Sequence, residues 1–177
     1  ETLNAQSFGI AYYNVDKLYD TSASQFYDDS AYTPKGRLRW NTERYDKKIE
    51  NIASVIDSMA MPIVAIYGVE NEQVVRDIVS KTQNDYAYIH KNADSYNGLD
   101  FALLYFGDIF FPTQTTPWQG ALAIDGEVGD TPLTIIVSHG CKSLGVLLNK
   151  KTTDPDGKII VLGSAGKLNF DHYNLQD

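Results

Sequence analysis

Asn97-Gly98-Leu99-Asp100-Phe101-Ala102-Leu103-Leu104-Tyr105 is the stretch on which the fold turns. The Asn-Gly pair opens a turn, and the run after it reads as a strand over Asp100 to Phe106. Working outward toward the N-terminus, Tyr86 to His90 is a second strand, and Ile63 to Tyr67 is a continuous apolar run that reads as a buried one. Between them, Glu72 to Lys81 carries Val74, Val75, Ile78 and Val79 on one helical face. Upstream, Thr42 is a candidate cap for a helix over residues 42–59. Its inward face holds Tyr45, Ile49, Ile52, Ala53, Val55 and Ile56, and Met61-Pro62 breaks it. Phe8 to Tyr13 reads as the first strand, ending at Asn14, and residues 20–35 as an irregular loop closed by the turn Thr33-Pro34-Lys35-Gly36.

Toward the C-terminus, two β-like stretches fall around residues 119–125 and 132–138. A short helix follows over 143–150, then the turn Asp154-Pro155-Asp156-Gly157 and a buried strand from Lys158 to Leu162. Helices between early strands and strands in the second half predict an α+β fold: a layered sandwich with mostly antiparallel sheets. No repeat, linker or low-complexity segment divides residues 1–177, so a single domain is expected.

Composition sets limits. The chain has 177 residues, 43% of them hydrophobic and 21% charged, which is a globular balance. Such a length buries roughly 70% of its unfolded surface. The net charge of −8 repels phosphate backbones, so broad nucleic-acid binding is not expected. A local exception is Lys35, Arg37 and Arg39, with Arg44, Lys47 and Lys48 soon after. Cys141 is the only cysteine, which rules out an intrachain disulfide and a multi-thiolate zinc site. No apolar run reaches the ~18 residues of a membrane span. A chain opening at Glu1 leads us to expect that a signal peptide or tag has been removed.

Several segments, in order, resemble the endonuclease/exonuclease/phosphatase family, its secreted bacterial branch above all. Tyr12-Tyr13-Asn14-Val15-Asp16-Lys17-Leu18-Tyr19-Asp20 is similar to the family's first strand and loop. Tyr32 to Gly36 and Arg39-Trp40 through Lys48 look like the approach to its first helix, and Ile63 to Asn71 like its second strand. Gly98 to Tyr105 is a close match to a family strand. Ile135-Ile136-Val137-Ser138-His139 resembles the strand that ends in a catalytic histidine, and Lys158 to Gly163 the strand before a Gly-Asp-Xaa-Asn motif. The resemblance implies a truncated DNase I-like fold and a secreted or periplasmic setting. It also implies metal-assisted phosphoester hydrolysis, in which carboxylates hold a divalent cation and a histidine and an aspartate shape the nucleophile and developing charge.

The same resemblance tests each part. Asn14, Asp100 and His139 match the family's first-strand asparagine, its strand aspartate and its catalytic histidine. The plain alternative for each is a polar residue that caps or hydrogen-bonds a strand end. The metal-binding glutamate falls on Gly68, which has no ligand atom. Glu70 lies on the same face if the strand continues, but ~6–7 Å farther along, too far for a metal contact of ~2–2.5 Å. It is expected to be a solvated carboxylate; with Asp16 it is the remaining metal candidate. The Gly-Asp-Xaa-Asn motif has become Gly163-Ser164-Ala165-Gly166, losing both functional positions, and the terminal Asp-His pair survives at best as Asp171-His172.

Two rival chemistries fail on spacing. Gly163-Ser164-Ala165-Gly166-Lys167 is too short between its glycines for a phosphate loop and lacks the Ser/Thr after lysine. Cys141 beside His139 has no third orienting group for nucleophilic catalysis. The expectation is a non-catalytic binding or structural module with no cofactor. The alternative is a divergent Mg-dependent phosphoesterase with a rebuilt site. The partner is an unidentified ligand or protein, and an oligomer covering an exposed sheet edge is a further expectation.

Overall fold

The computed structural model describes residues 8–93, 95–151 and 157–164. The elements are β1 (Ile10–Leu18), α1 (Thr42–Met59), β2 (Ile63–Val69), α2 (Glu72–Lys81), β3 (Ala87–Lys91), β4 (Asp100–Tyr105), β5 (Phe111–Trp118), β6 (Ala121–Val128), β7 (Thr131–His139), α3 (Leu144–Lys151) and β8 (Lys158–Ser164), with one 3-10 turn at Ser30–Tyr32. They form two four-stranded sheets, ordered β1-β2-β4-β3 and β5-β6-β7-β8. Only β1–β2 and β7–β8 pair in parallel, so the sheets are mostly antiparallel, as expected.

Period-two alternation sorts β2 and β4 into two faces. Val64, Ile66, Ala102 and Leu104 pack against Ile49, Ile52 and Ile56 of α1 and Val74, Val75 and Ile78 of α2. Ile63, Ala65, Tyr67, Phe101 and Leu103 face the second sheet, meeting Leu122, Ile124, Leu133, Ile135 and Val137. A third cluster lies outside the second sheet, where Leu144 and Leu147 of α3 cover Ala121, Ala123 and Ile136. The layers are therefore helix, sheet, sheet, helix. Strands that read as continuously apolar are the ones buried on both sides.

Three differences from the sequence reading have physical causes. The first strand does not end at Asn14 but runs to Leu18, through an irregular stretch in which Asp16 and Lys17 have φ of 50° and 58°. The cap of α1 is Asn41 rather than Thr42: its side chain accepts from the Arg44 N–H at 3.1 Å. The stretch near 119–125 is the start of β6, and a strand not read from the sequence, β5, precedes it and pairs with it through the turn at Gln119-Gly120. β5 carries Pro112 and Pro117, which hide it from a strand pattern; both are tolerated because β5 is an edge. At the other edge of that sheet, Ile159, Ile160, Val161 and Leu162 of β8 stay only half-buried. Asp154 to Asp156 lie outside the described residues.

Candidate functional site

The C-terminal ends of β1 and β2 and the start of β4 meet at a bulge. Tyr67 pairs with Asn14 and Phe101, and Val69 with Leu18 and Asp100, which leaves Gly68 unpaired between them. Its φ is +98°, and a Cβ there would sit 3.2 Å from Asn14 Oδ1 and 3.4 Å from the backbone nitrogens of Asp16 and Lys17. The extra residue also shifts the alternation, so Val69 joins the helix-side core. The expectation that Glu70 continues the face of Gly68 is therefore corrected: the strand ends at Val69.

Glu70 is not the solvated carboxylate expected of it. It is only 6% exposed. Its Oε2 accepts from the Asp20 N–H at 2.6 Å and its Oε1 from the Tyr27 hydroxyl at 2.8 Å. Burial pushes its pKa up, while those hydrogen bonds pull it back. The reason for burial is the loop over residues 19–29, which folds back onto β2. Tyr19 donates from its hydroxyl to the Asn97 carbonyl at 2.8 Å, and Trp40 from its indole to the Tyr19 carbonyl at 2.9 Å. The Tyr19 hydroxyl is pushed up to about 12, first by burial and then by its neighbours Tyr32 and Glu70. Glu70 thus holds a loop.

Asp100 is buried as well, at 3% exposure. Its Oδ2 lies 3.0 Å from His90 Nε2 and its Oδ1 accepts from the Ala93 N–H at 2.8 Å. Alternation puts Asp100 with Ala102 and Leu104 on the helix-covered face, and His90 pairs with Ala102. Asn14, exposed, accepts on Oδ1 from the Asp16 N–H at 3.0 Å, the local turn that lets Asp16 take a left-handed backbone. The Asp16 carbonyl accepts from Lys48 Nζ at 2.6 Å.

His139 stands on the inter-sheet side, away from the helix-covered face of Asp100. Its exposed ring stacks on Tyr67, with centroids 3.9 Å apart and planes at 16°. Tyr67 in turn rests on Phe101 at 5.0 Å. His139 pairs across β8 with Ser164. The preceding Gly163 has φ +97°, and a Cβ on it would fall 2.3 Å from the Ser138 carbonyl oxygen, so the glycine of the resembled motif is sterically required here. Serine then stands beside His139 where the motif calls for aspartate. Ala165, Gly166 and Asp171-His172 lie outside the described residues.

A cleft of about 620 Å³ opens over His139, lined among others by Tyr67, Tyr96, Asn97, Gln119 and Lys142. No carboxylate is among its described lining residues, and Tyr96 is 95% exposed at its rim. Tyr67, Tyr96, Asn97, Gln119 and Lys142 were not picked out as site residues by the sequence reading. Tyr67 reads there as a core strand residue, and the others sit in turns with no motif, so only the meeting of two sheets reveals them. Cys141 is buried in the outer cluster with α3, consistent with an idle thiol.

The described residues do not suit a divalent cation. Glu70 and Asp100 are each bound to protein donors, and Gly68 offers no side-chain oxygen. Among the described residues no three His, Cys, Asp or Glu side chains converge as a metal site. No described helix is long and apolar enough to cross a membrane.

Comparison with known proteins agrees on the fold. A humanized D. rerio TDP2 carrying 14 mutations superposes with a TM-score of 0.56 at 15% identity, covering 88% of this chain and 63% of that one. A conserved protein from Enterococcus faecalis gives 0.53 at 16%, covering 81% and 60%. A Bacteroides thetaiotaomicron mannosyl-6-phosphatase gives 0.50 at 14%, covering 82% and 59%. The chain thus spans about three fifths of the length of each. No curated protein matches it. Residues 9–150 match the sequence profile of the Endonuclease/Exonuclease/phosphatase family. With the profile running from β1 into α3 and the two-sheet sandwich behind it, the chain belongs to the endonuclease/exonuclease/phosphatase family.

Proposed function

We propose that this domain is a non-catalytic member of its family, a module that binds a neutral or anionic polar ligand in the His139 cleft without a metal ion. The observation that carries the reading is the bulge at Gly68. The position of the family's metal-binding glutamate holds a residue without a side chain, in a backbone conformation that L-residues adopt only with strain. Putting the carboxylate back would mean rebuilding the strand as well as changing one residue. The cleft volume falls in the usual range for small ligands, and its described lining offers amides, aromatic rings and the Lys142 cation rather than anions. A secreted or periplasmic setting, and a partner chain covering the half-buried edge of β8, belong to the same proposal.

The test is a calorimetric titration of the protein with Mg²⁺ and Mn²⁺, run beside a panel of phosphodiesters and phosphomonoesters. We expect no saturable heat and no turnover. Stoichiometric metal binding with turnover that His139→Ala abolishes would establish the divergent phosphoesterase instead.

A further inference from the structure

The basic residues noted in the sequence do not scatter over the surface. We propose that Arg39, Arg44, Lys47 and Lys48 form a second binding site, for a compact anion bearing two or more adjacent phosphate or sulfate groups. They line one groove of about 590 Å³ at the start of α1, around Trp40, with Glu43 the only carboxylate among its described lining residues; Lys47 also reaches Glu50 at 3.7 Å. This is a concentrated cationic site on a chain whose net charge is −8. It lies beside α1 and shares no lining residue with the His139 cleft.

Three features set the groove apart from an ordinary solvated helix face. Lys48 is drawn partly out of water, reaching the Asp16 carbonyl at 2.6 Å and lying 5.9 Å over the Trp40 ring. Burial lowers its pKa, which means that the fold holds a cation where one is costly. Arg44 is oriented by a hydrogen bond from its guanidinium to the Leu38 carbonyl. Arg39 has φ of 48°, a left-handed backbone that glycine would adopt without strain, and among the described residues nothing pairs its side chain. An exposed arginine on a left-handed backbone, in the lining of a cationic groove, is placed to meet an anion from outside. Its fork suits phosphate and sulfate oxygens. An extended polyanion would have to cross the acidic remainder of the surface, so the ligand is small.

The experiment is calorimetry with tripolyphosphate and, separately, a sulfated disaccharide, at low salt. We expect saturable binding of at least one, and the tighter of the two identifies the group. Arg39→Gln with Arg44→Gln should weaken it by about tenfold or more, and added salt should weaken it further. Arg39→Gly removes the charge while relieving the backbone, so it should lose affinity with its melting temperature held or raised. Lys81→Gln, at an exposed lysine that lines neither site, should change nothing. The proposal is overturned if neither anion binds, if the arginine variants bind as the wild type does, or if Lys142→Gln is the change that abolishes binding, which would put the anion in the cleft.

Discussion

The polar residues at the bulged end of the first sheet have gone different ways. Glu70 and Asp100 are buried, each accepting from protein donors, and they act as joints for a loop and a strand end. His139 is exposed on Tyr67 above an open cleft with no described carboxylate. A metal site needs both kinds of residue to face one point. Here the acids are turned into the fold and the base is left facing solvent. The difference teaches that a retained residue type carries little functional weight until its partners are known: Asp100 matches the family strand, yet its lone pairs are taken by His90 and Ala93.

If that contrast is right, removing the acids should damage stability and removing the base should not. Asp100→Ala strands the His90 ring and the Ala93 N–H, and should cost about 2–4 kcal/mol in denaturant unfolding. Glu70→Ala frees two donors and should cost about 2–3 kcal/mol, with the 19–29 loop becoming more open to proteolysis. Either variant unfolding like the wild type would remove the joint role.

Gly68→Glu tests the bulge directly. It should cost about 1–3 kcal/mol through the left-handed backbone and leave Mg²⁺ binding undetectable by calorimetry. A gain of tight metal binding would mean that the strand can be rebuilt.

The pH dependence has a definite sign. Glu70 is raised above its ordinary 4.5 by burial, so the folded state holds its proton more tightly than the unfolded one. Its contribution is fully present below that value and is lost as pH climbs through the raised one. Wild type should therefore lose stability relative to Glu70→Gln over that climb, read from paired melts across the acid range. Tyr19 gives the same sign at the alkaline end, between its ordinary 10 and about 12. The smallest effect belongs to His139→Ala. Losing one exposed ring stack should cost at most about 1 kcal/mol while weakening whatever the cleft holds.

Much of the fold was legible because its signals are local. Helices over 42–59 and 72–81 follow from apolar spacing, and the buried strands from unbroken apolar runs such as Ile63 to Tyr67. β5 escaped because its prolines erase the strand pattern, and only its place at a sheet edge makes them harmless. That Gly68 carries no ligand atom was readable, since a missing side chain needs no geometry to interpret. The burial of Glu70 was not, because nothing local tells a carboxylate that a loop about 50 residues upstream will fold over it.

The sequence by itself determined the order of every element but β5, and the apolar patterning of the layers. These depend on residue identity and on spacing within a few turns of chain. Tertiary structure alone decided which polar groups face one another. It took the strand register and the bulge to turn Asp100 toward His90, the closure of two sheets to lay His139 on Tyr67, and the packing of α1 against β1 to gather four cations around Trp40. Those contacts join residues far apart in the chain, and no local pattern encodes them.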